Sequence, residues 1–300
     1  RRRGWPILQF NSRGSGGVMG QVRTLLGMGA LVPAATTAIS WGLLTRSRRR
    51  GVNLFTTAFP QLLLAANGVS INVLGRDNLT AKRPAVFIFN HRNNFDPVIS
   101  AALLKDNWTG VGKKELESDP VVGTLGKIVD TVFIDRDDPK SAVETMQRVE
   151  NLVEKGLSIL IAPEGTRLDT RTVGPFKKGP FRLAMAAGVP IVPIVIRNAE
   201  VIAPRDSSTM NPGQVDVVVY PPISVEDWTI DDLSDRIAEV RQLYLDTLKD
   251  WPEDKVPTPD IYRRRPAKQS VPAKKAPAKK AAAKKAPAKK AAVKKVAAKK

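Results

Sequence analysis

The chain has 300 residues, 42% of them apolar, a formal charge of +19 and no cysteine. That length supports a full hydrophobic core and excludes a disulfide-stapled miniprotein, a wholly disordered chain, thiolate metal sites and a cysteine nucleophile. The charge lies at the ends. Residues 1–50 hold nine arginines and no acid, residues 263–300 hold three arginines and thirteen lysines and no acid, and removing both leaves −6 for residues 51–262. The chemistry of the middle therefore belongs to a mildly acidic domain with basic appendages.

Arg1 to Phe10 reads as a strand ending a domain upstream, with the Gly/Ser-rich run Ser12–Gly17 as the linker leaving it, so residues 1–20 are assigned to that linker or domain end. Thr24–Thr45 carries no charge and sits between Arg23 and the cluster Arg46, Arg48, Arg49 and Arg50. As a helix it would extend about 33 Å at ~1.5 Å per residue, close to the ~30 Å hydrocarbon core of a bilayer. Gly27, Gly29, Pro33 and the hydroxyl residues that follow dilute its hydrophobicity toward a helix lying in one leaflet. The arginine cluster predicts the cytoplasmic face of the cell inner membrane. A second uncharged stretch opens with Val52, Phe55, Phe59, Leu62 and Ala66, spacings of three and four that mark one helix face. Residues 21–67 are read as a membrane-associated helical pair; the competing reading makes both helices ordinary core.

From Val69 to Val219 strand-like and helical runs alternate. Val69, Ile71 and Val73 alternate, and Ala85–Phe89, Thr131–Ile134, Leu157–Ala162, Ile191–Ile196 and Val215–Tyr220 are near-continuous apolar runs, as in a sheet covered on both faces. Pro139–Lys155 predicts a helix with Asp138 as N-cap and Gly156 past its end, and Leu233, Ile237, Val240 and Tyr244 mark a closing helix. The fold class is α/β, with a mixed, largely parallel sheet covered by helices over residues 68–255. Residues 256–300 collapse to Lys, Ala and Pro in a five-residue repeat, which cannot keep one helix face and reads as a disordered polycation.

The single histidine, His91, follows a strand in the string Asn90-His91-Arg92-Asn93-Asn94-Phe95-Asp96-Pro97. Strand C-termini in open α/β sheets are where ligands bind. A second strand ends in Pro163-Glu164-Gly165-Thr166-Arg167, offering a carboxylate, close backbone approach, a hydroxyl and a forked guanidinium suited to phosphate. Lys113-Lys114-Glu115-Leu116 and Phe133-Ile134-Asp135-Arg136 add cations after two further strand-like runs.

These five blocks, closed by Val189-Pro190-Ile191-Val192-Pro193, resemble in order and spacing the glycerolipid acyltransferase family that includes lysophosphatidic acid acyltransferases. The chain differs from that pattern at Asn93, where the family often has a small hydroxyl residue, and at Ala162, where an aromatic often stands; both differences bear on acceptor or acyl preference. The resemblance implies transfer of a fatty acyl group from a thioester, acyl-CoA or acyl-ACP, to the free hydroxyl of lysophosphatidic acid, giving phosphatidic acid. It implies His91 as general base, held by Asp96, and a substrate site in which Arg167, Lys113 and Arg136 bind the acceptor phosphate while Glu164, Gly165 and Thr166 form its loop, Glu164 and Thr166 shaping it or exchanging hydrogen bonds. Imidazole titrates near neutrality, which suits that task. No cofactor beyond the acyl donor and no metal are expected, since one histidine and no cysteine make no ordinary zinc site.

Other acceptors, glycerol-3-phosphate or another lysophospholipid, are the near alternatives, and an inactive membrane tether is the remote one. The basic tail is expected to hold an anionic membrane surface, against the alternative of nucleic acid, since its repeat resembles linker-histone tails. The start of the chain resembles the end of a haloacid-dehalogenase-type phosphatase, as in some actinobacterial phosphatase-acyltransferase fusions.

Overall fold

Seven short β-branched and aromatic runs pair into one sheet: β1 (Val69–Leu74), β2 (Val86–Phe89), β3 (Trp108–Lys113), β4 (Val132–Ile134), β5 (Ser158–Ile161), β6 (Ile191–Arg197) and β7 (Gly213–Val219). The structure is a computed structural model that describes residues 18–135, 139–167 and 172–262, the side chains of 139–146 excepted. The expectations for residues 1–17, Arg136, the Asp138 cap and the tail beyond Tyr262 lie outside the described residues.

The strand order is β1-β7-β6-β2-β5-β3-β4, parallel throughout except for the antiparallel β6–β7 pair, as the mixed, largely parallel expectation requires. Both faces are covered, so successive side chains of one strand enter different cores. In β2, Phe87 and Phe89 join one hydrophobic cluster while Val86 and Ile88 join the other. The first cluster lies under α3 (Arg48–Ala66) and α4 (Asp96–Leu104); the second lies under α6 (Pro139–Glu154), α7 (Gly179–Ala187) and α9 (Leu233–Lys249). Continuing the two-residue period past β2 puts His91 on the side of Phe87 and Phe89, the α3 and α4 side.

The N-terminal apolar run forms α1 (Val18–Gly29) and α2 (Leu31–Leu44), separated only at Ala30, whose backbone stays in the right-handed helical region. Pro33 does not break the run because it occupies the first turn of α2, where its missing N–H would be unpaired anyway. Helix α3 turns back along α2, and the approach is close: a Cβ on Gly51 would stand 2.6 Å from the Ala38 carbonyl oxygen. Gly156 ends α6 at φ +85°, accepting the left-handed turn that lets Leu157 N–H reach the Leu152 carbonyl. Two further helices, α5 (Val122–Ile128) and the one-turn α8 (Ala199–Ile202), complete the fold.

The arginine cluster divides into two tasks. Arg46 and Arg50 are exposed, whereas Arg48 forks onto Asp130 at 2.8 and 2.9 Å and Arg49 donates to the Trp108 carbonyl at 3.2 Å. Beside them Asn53 and Asn107 exchange hydrogen bonds of 2.9 and 3.0 Å. The first turns of α3 are thereby tied to the chain just before β3 and β4. Burial pushes the Arg49 guanidinium below the usual arginine range, while the Asp130 hydrogen bond raises that of Arg48.

Candidate active site

His91 follows β2 and Asp96 opens α4, so a turn of four intervening residues brings the two side chains together. His91 Nδ1 lies 3.0 Å from Asp96 Oδ2. The same oxygen accepts the backbone N–H groups of Asn93, at 2.7 Å, and of Arg92. An oxygen already accepting backbone donors is an acceptor toward the ring as well, so Nδ1 carries the proton and Nε2 keeps its lone pair. Asp96 is fully buried, while the His91 side chain is 20% exposed. Phe89 sets its ring edge-on to the imidazole, centroids 5.7 Å apart.

Glu164 supports the same loop from the second motif. Its Oε1 accepts the His91 backbone N–H at 2.9 Å and its Oε2 accepts that of Gly174 at 2.8 Å. Burial pushes this carboxyl above the ordinary glutamate range, with the two backbone donors acting in the opposite sense. Both oxygens are thus occupied by the protein itself, and Glu164 does not line the cavity that holds the imidazole.

That cavity, about 450 Å³, brings together His91, Lys113, Gly165, Thr166 and Arg167. They lie at the C-terminal ends of β2, β3 and β5, as the switch-point rule for open sheets requires. Arg167 Nη1 donates to the Arg205 carbonyl at 2.9 Å and to Asn94 Oδ1, and stands 3.4 Å from Asp206. Among the described residues these contacts all use one terminal nitrogen of the fork. Arg136 lies outside the described residues.

Away from these polar groups the cavity is lined by Phe55 and Phe59 of α3, Val98 and Ala101 of α4, Leu125 of α5, Val129 just past it, and Leu160 of β5. Its floor was not read from the sequence, although the signal is there. Trp108, Gly110 and Gly112 alternate along β3 and so share one face. The two glycines add no side chain to that face, and Thr131 and the Phe133 ring close in on it: a Cβ would stand 3.3 Å from Thr131 Oγ1 at Gly110 and 3.2 Å from the Phe133 ring at Gly112. Ala162, by its small size, adds room beside Leu160.

Asn93, where the chain departs from the family pattern, is not among the residues that line the cavity. It is buried, faces away from the cavity, and donates its Nδ2 to the carbonyls of Ala199 and Ala203 at 2.7 and 3.0 Å. Its neighbour Asn94 is the one that lines the site and meets Arg167.

A carboxylate-held imidazole, a guanidinium and an apolar cavity suit acyl transfer, and comparison with known proteins assigns the acyltransferase class. The family model described as Acyltransferase matches residues 70–197. A 1-acyl-sn-glycerol-3-phosphate acyltransferase of Limnanthes alba is 30% identical over 220 residues, covering 71% of this chain and 78% of its own length. The Saccharomyces cerevisiae protein of that name is 33% identical over 186 residues, 61% of each chain, and that of Salmonella typhimurium is 36% identical over 160 residues, 53% of this chain and 64% of its own. The crystal structure of the 1-acyl-sn-glycerophosphate acyltransferase PlsC from Thermotoga maritima shares the fold, with TM-score 0.61 and 22% identity over 78% of this chain and 100% of that one. The chain belongs to the 1-acyl-sn-glycerol-3-phosphate acyltransferase family and is an O-acyltransferase.

Proposed function

We propose that this enzyme transfers a fatty acyl group from a thioester donor, acyl-CoA or acyl-ACP, to the free hydroxyl of lysophosphatidic acid, releasing phosphatidic acid and a free thiol. The observation that carries the reading is His91, held from behind by buried Asp96, lining one cavity together with Arg167 and a set of apolar side chains. His91 Nε2 takes the acceptor's hydroxyl proton as the oxygen attacks the thioester carbonyl. The imidazolium, paired with Asp96, then returns that proton to the departing sulfur as the C–S bond breaks. The reaction balances with the acyl thioester as its only co-substrate. Arg167 and Lys113 hold the acceptor phosphate, with the Gly165–Thr166 backbone and hydroxyl beside it. The apolar trough takes the donor's chain, and Glu164 holds the imidazole's backbone in place.

The membrane delivers both acyl-bearing partners. Leu25, Leu43 and Leu44 are 73%, 74% and 76% exposed, and Val18–Leu44 is a helix long and apolar enough to cross a membrane by length and composition. Helix α3 and one face of α1 are engaged with the sheet domain, which favours seating the exposed side in one leaflet at the cytoplasmic face of the cell membrane rather than spanning it. The thirteen lysines of the tail add attraction to anionic lipid, each worth ~1 kcal/mol near the surface.

The test uses the full chain with acyl-CoA and acyl-ACP, offered lysophosphatidic acid, glycerol-3-phosphate and other lysophospholipids in turn. Preference for lysophosphatidic acid, abolished in His91→Ala, is expected. A different preferred acceptor overturns the substrate, and undiminished turnover in His91→Ala overturns the mechanism. Nucleic acid competing with anionic vesicles for the chain, and losing that ability when residues 263–300 are removed, overturns the lipid role of the tail.

A further inference from the structure

The segment that grips Arg167 is fastened at its far end to α1. It runs from Ala203 to Asn211, between α8 and β7, as an irregular strap. At its start Asn93 clasps the Ala203 carbonyl. Midway, Arg205 O accepts from Arg167 Nη1 and Arg205 Nη2 donates to Arg167 O, both at 2.9 Å, while Ser207 O accepts from Asn94 Nδ2 at 2.9 Å. At its end fully buried Met210 donates its backbone N–H to Thr24 Oγ1 on α1 at 2.9 Å.

The polarity of that last contact is forced. Asn67, fully buried just past α3, donates its Nδ2 to the Leu63 carbonyl at 2.8 Å, which presents its Oδ1 to Thr24 Oγ1 at 3.0 Å. Thr24 must therefore give its only proton to Asn67 and receive the Met210 N–H on its oxygen, a task for a hydroxyl and not for an isosteric methyl. Gly27, on the same face of α1, permits the approach: a Cβ there would stand 2.7 Å from Asn67 Nδ2 and 2.9 Å from Leu63 Cδ1. A buried polar pair of this kind has one good arrangement, and losing it leaves two buried groups unsatisfied.

We propose that Thr24 is a positioning residue for acceptor binding: by fixing Met210 it sets the strap whose carbonyls aim the Arg167 guanidinium. This rests on the reading of Arg167 as a phosphate ligand, and the experiment separates the two. The full chain is assayed in detergent with lysophosphatidic acid and acyl-CoA as Thr24→Val, Thr24→Ser and Arg205→Ala, and as the Thr24→Val/Arg205→Ala double variant. Thr24→Val raises the KM for lysophosphatidic acid about tenfold, the scale of a lost buried hydrogen bond, and leaves the KM for acyl-CoA and kcat within about twofold. Thr24→Ser, which restores the hydroxyl, restores that KM. The double variant rises less than the product of the single effects, because both act through the strap. If Thr24→Val does not yield folded protein, Thr24→Ala carries the same comparison. An unchanged acceptor KM, a fall confined to kcat, or Thr24→Ser behaving like Thr24→Val overturns the proposal. An unchanged acceptor KM in Arg167→Ala instead overturns the phosphate reading beneath it.

Discussion

The carboxylate of Glu164 accepts the backbone N–H of His91 at 2.9 Å, joining two motifs that lie 73 residues apart. The bond makes a stability prediction whose sign follows from burial. Burial raises the Glu164 carboxyl above its value of ~4.3 in an unfolded chain. The folded state thus holds this proton more tightly, and its contribution to stability is complete below that value and is lost as pH rises through the folded titration. Glu164→Gln cannot titrate, and it offers one acceptor where two backbone donors wait, at a cost of ~1–3 kcal/mol. Unfolding midpoints measured from pH 4 to 8 are therefore expected to fall with rising pH more steeply in the wild-type protein than in Glu164→Gln. Parallel profiles would refute this.

His91 Nδ1 is held by Asp96, and that hold separates two variants. His91→Ala removes the base and is expected to lower kcat by ~10²–10⁴-fold, with a smaller stability loss than at Asp96, since the buried carboxylate keeps its two backbone donors. Asp96→Asn keeps the shape but places an amide among three donors: the ring N–H and the backbone groups of Arg92 and Asn93. It is expected to lose activity comparably and stability as well, because the amide must either reverse the imidazole tautomer or leave a donor unpaired. Equal melting temperatures for the two variants would contradict that account.

Arg48 grips Asp130, a non-glycine residue at φ +60°, and both halves of that observation matter. Asp130→Asn keeps a side chain that tolerates the left-handed backbone while deleting the ion pair. With side chains 62% and 31% exposed, the pair is worth only ~0.2–1 kcal/mol, and the loss should shrink in high salt. Asp130→Val should cost more, through backbone strain on a β-branched residue. Chemical denaturation at two ionic strengths measures both.

The legible parts of this chain were those written in one stretch of sequence. The strands buried on both faces read as apolar runs, the α6 helix read from its proline start and glycine stop, and the polar motifs ended strands as ligand sites do. What escaped was set by packing between distant segments. Helix α4 begins at the very aspartate that pairs with His91, so its start was hidden inside the motif. The contacts of Asn93 are not legible from its place in the motif, because the fold brings the Ala199 and Ala203 carbonyls at the two ends of α8 onto its amide. Glu164 is legible as a loop-shaping residue within its string, but its partners are not: the backbone N–H groups that fill its oxygens come from His91 and Gly174, set by the fold.

The trough over β3 yields the last prediction, because Trp108 lines it at the start of the strand and Gly110 lines it two residues further on. From Trp108 to Lys113 the strand spans five steps, about 16 Å at ~3.3 Å per residue, on the scale of a long fatty acyl chain. Trp108 stands at the end far from the imidazole, beside the ties that Arg49 and Asn53 make to the start of β3. Trp108→Leu lengthens the trough and should move donor preference toward longer chains, by up to about fourfold in kcat/KM per methylene newly buried. Its stability cost should stay below the ~3–5 kcal/mol of full truncation to alanine. Gly110→Ala does the opposite. Its Cβ would stand 3.3 Å from Thr131 Oγ1, a tight but movable contact, and the added methyl occupies the trough midway. Long donors should lose more than short ones, with kcat for the shortest unchanged. Assaying both variants across a series of acyl-CoA lengths should displace the optimum in opposite directions; shifts in the same direction would mean that the chain lies elsewhere.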